Sequence, residues 1–361
     1  MLQTDERTVR FQRAIEVLQD HEATFTAELV YALSDLSGPQ LETFRSVWAT
    51  QPDARREALI ALLVETGETN FELDFSSIIH PALRDDHIGV RKAALEGVFE
   101  DSPRPIIETI MSIAQEDTFS EVRATATKVL GQFVLQGELG KLAQPLNLRL
   151  QDTVLALHRN LNEDIDVRRR ALEAIGNCGR EGVKELIREA YYADELPMRV
   201  SALYAMGRSC DEDWSPQVLE ELNSEYEEMR YEAARTAGEL GLHRALPRLA
   251  EMAFGGDREI QIMAIWAIGE IGGNQADAVL SQLEALAEEA EDSDLLEAVA
   301  EAQNAALLAG EDPLPLMDFS GLDGLELDDD DDDEDLIALD ELELDDDDDE
   351  DDSYSDYDDY D

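Results

Sequence analysis

One ten-residue pattern returns at a fixed interval, and that interval restricts the fold more than any other feature of the chain. VRRRALEAIG from Val167, MRVSALYAMG from Met198, MRYEAARTAG from Met229 and IQIMAIWAIG from Ile260 align without gaps, each starting 31 residues after the last. Ala171, Ala202, Ala233 and Ala264 keep the step, as do Gly176, Gly207, Gly238 and Gly269. A constant period of this length marks a stack of supersecondary units. Looser copies come earlier: ARREALIALL from Ala54, VRKAALEGVF from Val90 and VRATATKVLG from Val122. An Arg series accompanies them at Arg55, Arg91, Arg123, Arg168, Arg199 and Arg230, with Gln261 taking its place in the last copy. The wider gap between Arg123 and Arg168 predicts an insertion, a longer helix around residues 142–161.

Each unit reads as two helices. In the signature helix the apolar first residue, the Ala four later and the apolar residue beyond fall on one face. The small Ala would admit a neighbouring helix, and the Gly eight after the Arg would stop the helix. Amphipathic segments such as VKELIREAYYA, PQVLEELNSEY and ALPRLAEMAF precede it. One such hairpin cannot bury its apolar face alone, so the units must stack into a rod. Alternating β-branched runs and Asn-Gly turns are missing, which predicts an all-α chain.

The pattern DIDVRRRALEAIG, from Asp164 to Gly176, resembles the short HEAT-like repeat named after phycobilisome lyases. The resemblance covers roughly residues 50–290. It implies an α-solenoid with an armadillo-like superhelix, and it implies that the signature helices line a concave face. Residues 1–50 are expected to form an N-terminal helical cap, 51–310 the solenoid with a capping helix before Gly310, and 311–361 a disordered acidic tail. The family includes scaffolds, lyase subunits and adaptors, so it specifies fold more than function.

Charge narrows the partners. The chain carries 85 acidic and 28 basic residues, a net of −57. Residues 311–361 hold 28 of the acids and no Lys or Arg, while residues 1–310 still set 57 acids against 28 bases. Such a field repels phosphate backbones and anionic membranes and favours basic proteins. No direct nucleic-acid or membrane partner is expected, and HEAT-like DNA glycosylases are excluded for want of a basic groove. The first fifteen residues lack the apolar core of a signal peptide. Two cysteines, Cys178 and Cys210, make no disulfide framework, which suits a reducing cytoplasm.

Catalytic chemistry finds little support. Of five histidines, only His21 stands beside a Glu. The di-iron site of deoxyhypusine hydroxylase, a HEAT-like enzyme, needs several His-Glu pairs. Cys178 and Cys210 follow successive signature helices but lack further zinc ligands. No Ser-His-Asp set, phosphate loop or dinucleotide fingerprint occurs. No cofactor and no metal are expected. The Arg series is expected to pair structurally with acids of adjacent repeats, Asp164, Asp166, Glu195 and Asp257 being placed for it.

Three groups are candidates for binding. Positions two, six and ten after the start of each signature helix point away from its core face: Val200, Tyr204 and Arg208; Tyr231, Arg235 and Glu239; Ile262, Trp266 and Glu270. Aromatic and Arg residues there are hot-spot types. A basic patch is read at Arg168, Arg169, Arg170, Arg180, Lys184 and Arg188, fit to dock an acidic partner or the chain's own tail. Leu336, Ile337, Leu339, Leu342 and Leu344 form an apolar island between acidic runs, like a segment that folds on a partner. The expectation is a non-enzymatic scaffold that binds a basic protein in the groove, with the tail modulating it. The alternatives are a bilin lyase subunit of the phycobilisome-lyase type and a chaperone-like binder of basic proteins. Oligomeric state is not legible.

Overall fold

The computed structural model describes residues 2–309, which belong to one compact unit. Its long elements are α1 (Leu2–Gln19), α2 (Ala27–Ala32), α3 (Gly38–Trp48), α4 (Asp53–Thr69), α5 (Ser76–Ala82) and α6 (Ile88–Glu96). They continue as α7 (Arg104–Glu116), α8 (Ser120–Glu138), α9 (Gln144–Arg159), α10 (Ile165–Ile175), α11 (Val183–Tyr191) and α12 (Leu196–Arg208). The last are α13 (Ser215–Glu221), α14 (Glu227–Glu239), α15 (Leu246–Ala253), α16 (Arg258–Ile271), α17 (Asn274–Ala290) and α18 (Ser293–Ala309). No strand occurs among the described residues. The acidic segment 311–361, with Leu336, Ile337, Leu339, Leu342 and Leu344, lies outside them.

The helices form two layers. From α4 to α18 each even-numbered helix packs on the next even one, and from α6 on each also packs on the odd helix before it. The four clear repeats fall in α10, α12, α14 and α16, the looser ones in α4, α6 and α8. The insertion is α9, 16 residues long, following a 19-residue α8. At the start α2 packs on α4 and α1 on α3, so the two-layer order runs through residue 50 without a break. Similarly, α18 is more than a terminal lid: it takes the place of a signature helix against α16.

Core positions follow the repeat. Val167, Met198, Met229 and Ile260 are buried, and Ala171, Ala202, Ala233 and Ala264 are wholly so. Each large apolar side chain in this row contributes about 1.5–3 kcal/mol of burial.

The glycine series has a different role from the one its sequence position suggests. Only Gly176 ends its helix, and its φ of −55° is ordinary right-handed backbone. Gly207, Gly238 and Gly269 lie inside helices that run on to Arg208, Glu239 and Ile271. What these glycines share is a neighbour. A methyl built on Gly176 would fall 2.9 Å from Ala205 Cα, on Gly238 2.9 Å from Ala267 Cα, and on Gly269 2.7 Å from both Cα and carbonyl O of Ala302. Gly131 of α8 faces Ala174 in the same way, at 3.2 Å, and Gly207 faces Thr236. From α8 on, the even helices therefore cross where Gly meets a small residue, except that a methyl on Gly207 would first meet the Glu239 carboxylate.

The Arg series is structural, but its partners differ from those expected. Arg91 forms a bidentate pair with Asp117 at 2.8 and 2.9 Å and also donates to the carbonyls of Asp85 and Asp86. Arg123 does the same with Glu163 and the Asp117 carbonyl. Arg230 donates to the carbonyls of Ser224 and Glu225, Arg168 to that of His158, and Gln261 to that of Ala253. Arg199 instead lies over the Tyr226 ring of the next repeat. Asp164 and Asp257 are occupied as helix N-caps, and Asp166 pairs with Arg169. No ion pair among the described residues engages Glu195. Arg91, Arg123, Arg168 and Arg230 thus tie down the turn before their own helix, where orphan carbonyls need donors, whereas Arg55 donates to the carbonyls of Val17, His21 and Ala23.

A substitution separates crowding from helix propensity. Ala is about 1 kcal/mol better than Gly inside a helix, so a glycine that acted only as a helix stop would tolerate replacement. Gly269→Ala is expected instead to destabilise by about 1–3 kcal/mol, since overpacking dominates. Gly256→Ala, with nothing near the added methyl, is expected to be neutral. Thermal unfolding of the two variants checks this.

Candidate interaction face

The even-numbered helices share one face, and its side chains come from a few positions of the repeat. Over α4, α6, α8 and α10 this face forms a groove of about 840 Å³. Position two of the repeat gives Lys92, Ala124 and Arg169, and position six gives Glu96 and Lys128, all in the groove lining. Glu65 and Glu68 add acids from α4. Both signs of charge are therefore present. Lys92 meets Glu121 at 3.3 Å, Arg169 meets Asp166 at 2.6 Å, and Arg170 meets Glu173 at 2.6 Å. No ion pair among the described residues engages Glu65, Glu68, Glu96 or Lys128.

The same positions continue into α12, α14 and α16 with a different chemistry. Tyr204, Arg208, Tyr231, Arg235, Ile262 and Trp266 are all half-buried, and only Glu270 of the expected set is exposed. The Arg235 guanidinium lies 4.1 Å from the centre of the Tyr204 ring. It also pairs with Glu232 at 2.7 Å and with Glu239 at 2.6 Å. Glu239 lies 3.7 Å from Arg208, which itself donates to Asn177. Trp266 stands at the Gly238 crossing, where an added methyl would come within 3.0 Å of its ring. The residues named from sequence are thus brought together, as a strip laid across the joints between repeats rather than as free side chains.

Two buried carboxylates in this strip escaped the sequence reading. Glu173 is 8% exposed and accepts from Ser201 at 2.5 Å as well as from Arg170. Glu232 is 7% exposed. Burial raises the Glu232 carboxyl to about 7 against the pull of the Arg235 guanidinium, and the like charges of Glu173 and Glu239 add to the rise. The period held a signal for Glu232: it is the position of Arg170 and Ser201, where Glu173 already finds its donors.

The basic patch is not one surface. Arg169 and Arg170 line the groove, whereas Arg180 and Lys184 line a separate hollow near Cys178 and Trp214. Arg180 pairs with Asp152, Lys184 with Asp211 and Asp213, and Arg188 with Glu185 while lying over the Trp214 ring. Arg168 is spent on the His158 carbonyl. Neighbours in sequence separate because a turn and a change of layer intervene between α10 and α11.

Cys178 is buried, its thiol pushed up to about 11 by burial, while Cys210 is exposed. No group of three or more His, Cys, Asp or Glu among the described residues could hold a metal ion. No described helix is long and apolar enough to cross a membrane.

Residues 215–303 match the family model for HEAT repeats. No curated protein matches the chain's sequence significantly. Among solved structures, the CpcE–CpcF complex of phycocyanin lyase from Nostoc aligns at 14% identity and TM-score 0.43, covering 63% of this chain and 93% of that one. Human deoxyhypusine hydroxylase aligns at 14% identity and TM-score 0.32, covering 85% and 99%. Kap95p, from a complex with RanGDP, aligns at 14% identity and TM-score 0.43, covering 84% of this chain and 46% of that one. All three likenesses are remote, and what those proteins bind or catalyse is theirs alone.

The buried carboxylate gives the strip a pH dependence. A carboxyl raised in the folded state favours the proton-bound form, so its stabilising effect is complete below pH 4.5 and fades as pH rises through about 7. Glu232→Gln removes the ionisation. Between pH 5 and pH 8 the variant's melting temperature is expected to fall less than the wild type's. Equal slopes in the two proteins would show that Arg235 keeps Glu232 charged throughout.

Proposed function

We propose that the chain, whose residues 215–303 match HEAT repeats and whose even-numbered helices share one face, is a HEAT-like protein–protein interaction scaffold and catalyses no reaction. The observation that carries this reading is the open groove over α4–α10, lined by Glu65, Glu68, Glu96 and Lys128. A groove with both signs of unpaired charge suits a polar polypeptide better than a small apolar ligand, which prefers a closed apolar cavity. The half-buried strip of Tyr204, Arg208, Tyr231, Arg235, Ile262 and Trp266 extends the face with residue types that dominate interface energetics.

The partner favoured by charge is a basic protein. With a net charge of −57 the chain attracts cations at long range, and the acidic segment 311–361 strengthens that field. Such attraction speeds encounter more than it selects a partner. The bilin-lyase reading has only the repeat resemblance behind it. Chaperone-like shielding of basic proteins would rest on the acidic segment alone and not on the groove.

Photo-crosslinking separates these readings. A crosslinking residue at Lys128 or Glu96, in the groove, is expected to trap a discrete partner in cells, and one at Glu189 or Glu220, on the odd-numbered layer, is not. Equal capture from both layers would sink the groove reading. Removing residues 311–361 is expected to weaken capture and flatten its salt dependence while leaving the crosslinked positions unchanged. Loss of all capture on that deletion would favour the shielding reading instead.

A further inference from the structure

Two phenylalanines stand together at one edge of the stack, away from the groove face. Phe71 follows α4 and is 93% exposed, and Phe99 follows α6 and is 41% exposed. With Leu73, Phe75, Ile79 and His80 they line a cavity of about 740 Å³ between the two loops. Gly67 and Gly97, also in the lining, place no side chain there. A single exposed apolar residue needs no explanation, but two aromatic rings bordering one hollow form a patch that marks interaction sites.

The charges around the hollow have one sign. Asp74, Glu100 and Asp101 line it, and no Lys or Arg does. Asp74 accepts from the backbone N–H of Ser76, and Glu100 from the Gln136 amide, so two of the acids are held in place without a cation. His80 adds no positive charge at neutral pH, because burial keeps its pKa below the ordinary value despite Asp74 and Asp101. Fixed carboxylates beside bare aromatic faces attract a cation twice, by ion pairing and by the ring quadrupole.

We propose that this edge pocket docks a basic segment of a partner protein carrying one bulky apolar side chain. The apolar group enters between Phe71 and Phe99, and flanking Lys or Arg residues meet Asp74, Glu100 and Asp101. An apolar segment without cations would leave the three carboxylates beside a desolvated surface, and an acidic one would be repelled. The site shares no lining residue with the groove of the proposed function, so the two stand independently.

The test uses the full chain and three labelled peptides, read by fluorescence anisotropy at physiological salt. Lys-Lys-Leu-Phe-Lys-Lys is expected to bind about tenfold or more tightly than Lys-Lys-Ser-Ser-Lys-Lys, as an apolar anchor in a pocket requires. Glu-Glu-Leu-Phe-Glu-Glu is expected not to bind. Phe71→Ala, at a side chain that supports nothing in the fold, should erase the preference for the Leu-Phe peptide. Asp101→Lys should weaken that peptide and reduce its salt sensitivity, while Glu289→Lys, a matched charge reversal on α17, should change neither. If the Ser-Ser peptide binds as well as the Leu-Phe one, or Phe71→Ala keeps the preference, attraction is diffuse and the proposal fails. It fails equally if the Leu-Phe peptide does not bind.

Discussion

Close backbone contact between successive even-numbered helices is the constraint on which the rest of the structure depends. Gly176, Gly238 and Gly269 each let the backbone of the next helix approach to a distance at which a methyl would collide, and Gly131 lets it come nearly as close. That contact sets how far one hairpin stands from the next, and through it the spacing of every row of side chains along the stack. Dispersion energy falls steeply with a gap of even half an ångström. A single larger residue at a crossing would therefore disturb the joint and the rows on both sides of it. Because each unit touches only its neighbours, such damage stays local to two repeats.

The same proximity explains why charges are buried on a face that might have been wholly solvated. Helices that cross at Gly and Ala leave no room for water between the positions flanking the crossing. Glu173, Glu232, Arg235 and Glu239 sit there; Glu232 and Glu239 flank Arg235 along α14, and Ser201, Tyr204 and Arg208 of α12 reach Glu173, Arg235 and Glu239 across the joints. A buried ion pair adds little net stability, because desolvation offsets the attraction. What it does add is a penalty on misalignment: a stack slipped by one turn would take Ser201 from Glu173 and the Tyr204 ring from Arg235. A row of Ala and Gly alone would not forbid that slip, so the charges complement the small residues in fixing the register.

How much of this was legible follows from what a period can encode. The step of 31 residues located α10, α12, α14 and α16, and looser copies of the same pattern at other spacings located α4, α6 and α8, because core positions must repeat where geometry repeats. The face follows the same rows: Lys92 and Arg169 occupy the position of Val200, Tyr231 and Ile262, and Lys128 that of Tyr204, Arg235 and Trp266. The glycines were misjudged because Gly near the end of a helical pattern is also a stop signal, and sequence does not show what lies opposite. The Arg partners were misjudged because Asp117 and Glu163 lie in loops whose path depends on loop length. Arg180, Lys184 and Arg188 looked continuous with Arg168 only because a linear count ignores the change of layer. Phe71 and Phe99 carried no periodic mark at all, and only packing brings their loops together.

A surface this acidic poses a problem of selection, which the two proposed sites address. Long-range attraction draws in any basic protein and distinguishes poorly among them. Selection must come from features that act within a few ångströms and reward shape: the groove with its mixed charges, and the aromatic hollow with acids on its border. A solenoid can hold both, since face and edge are separate surfaces of the same repeats and neither must close around the other. The fixed spacing between α4 and α6 that shapes the groove also sets the separation of Phe71 and Phe99. A partner that engages both would thus be measured against one internal distance, held constant by the packing of adjacent hairpins.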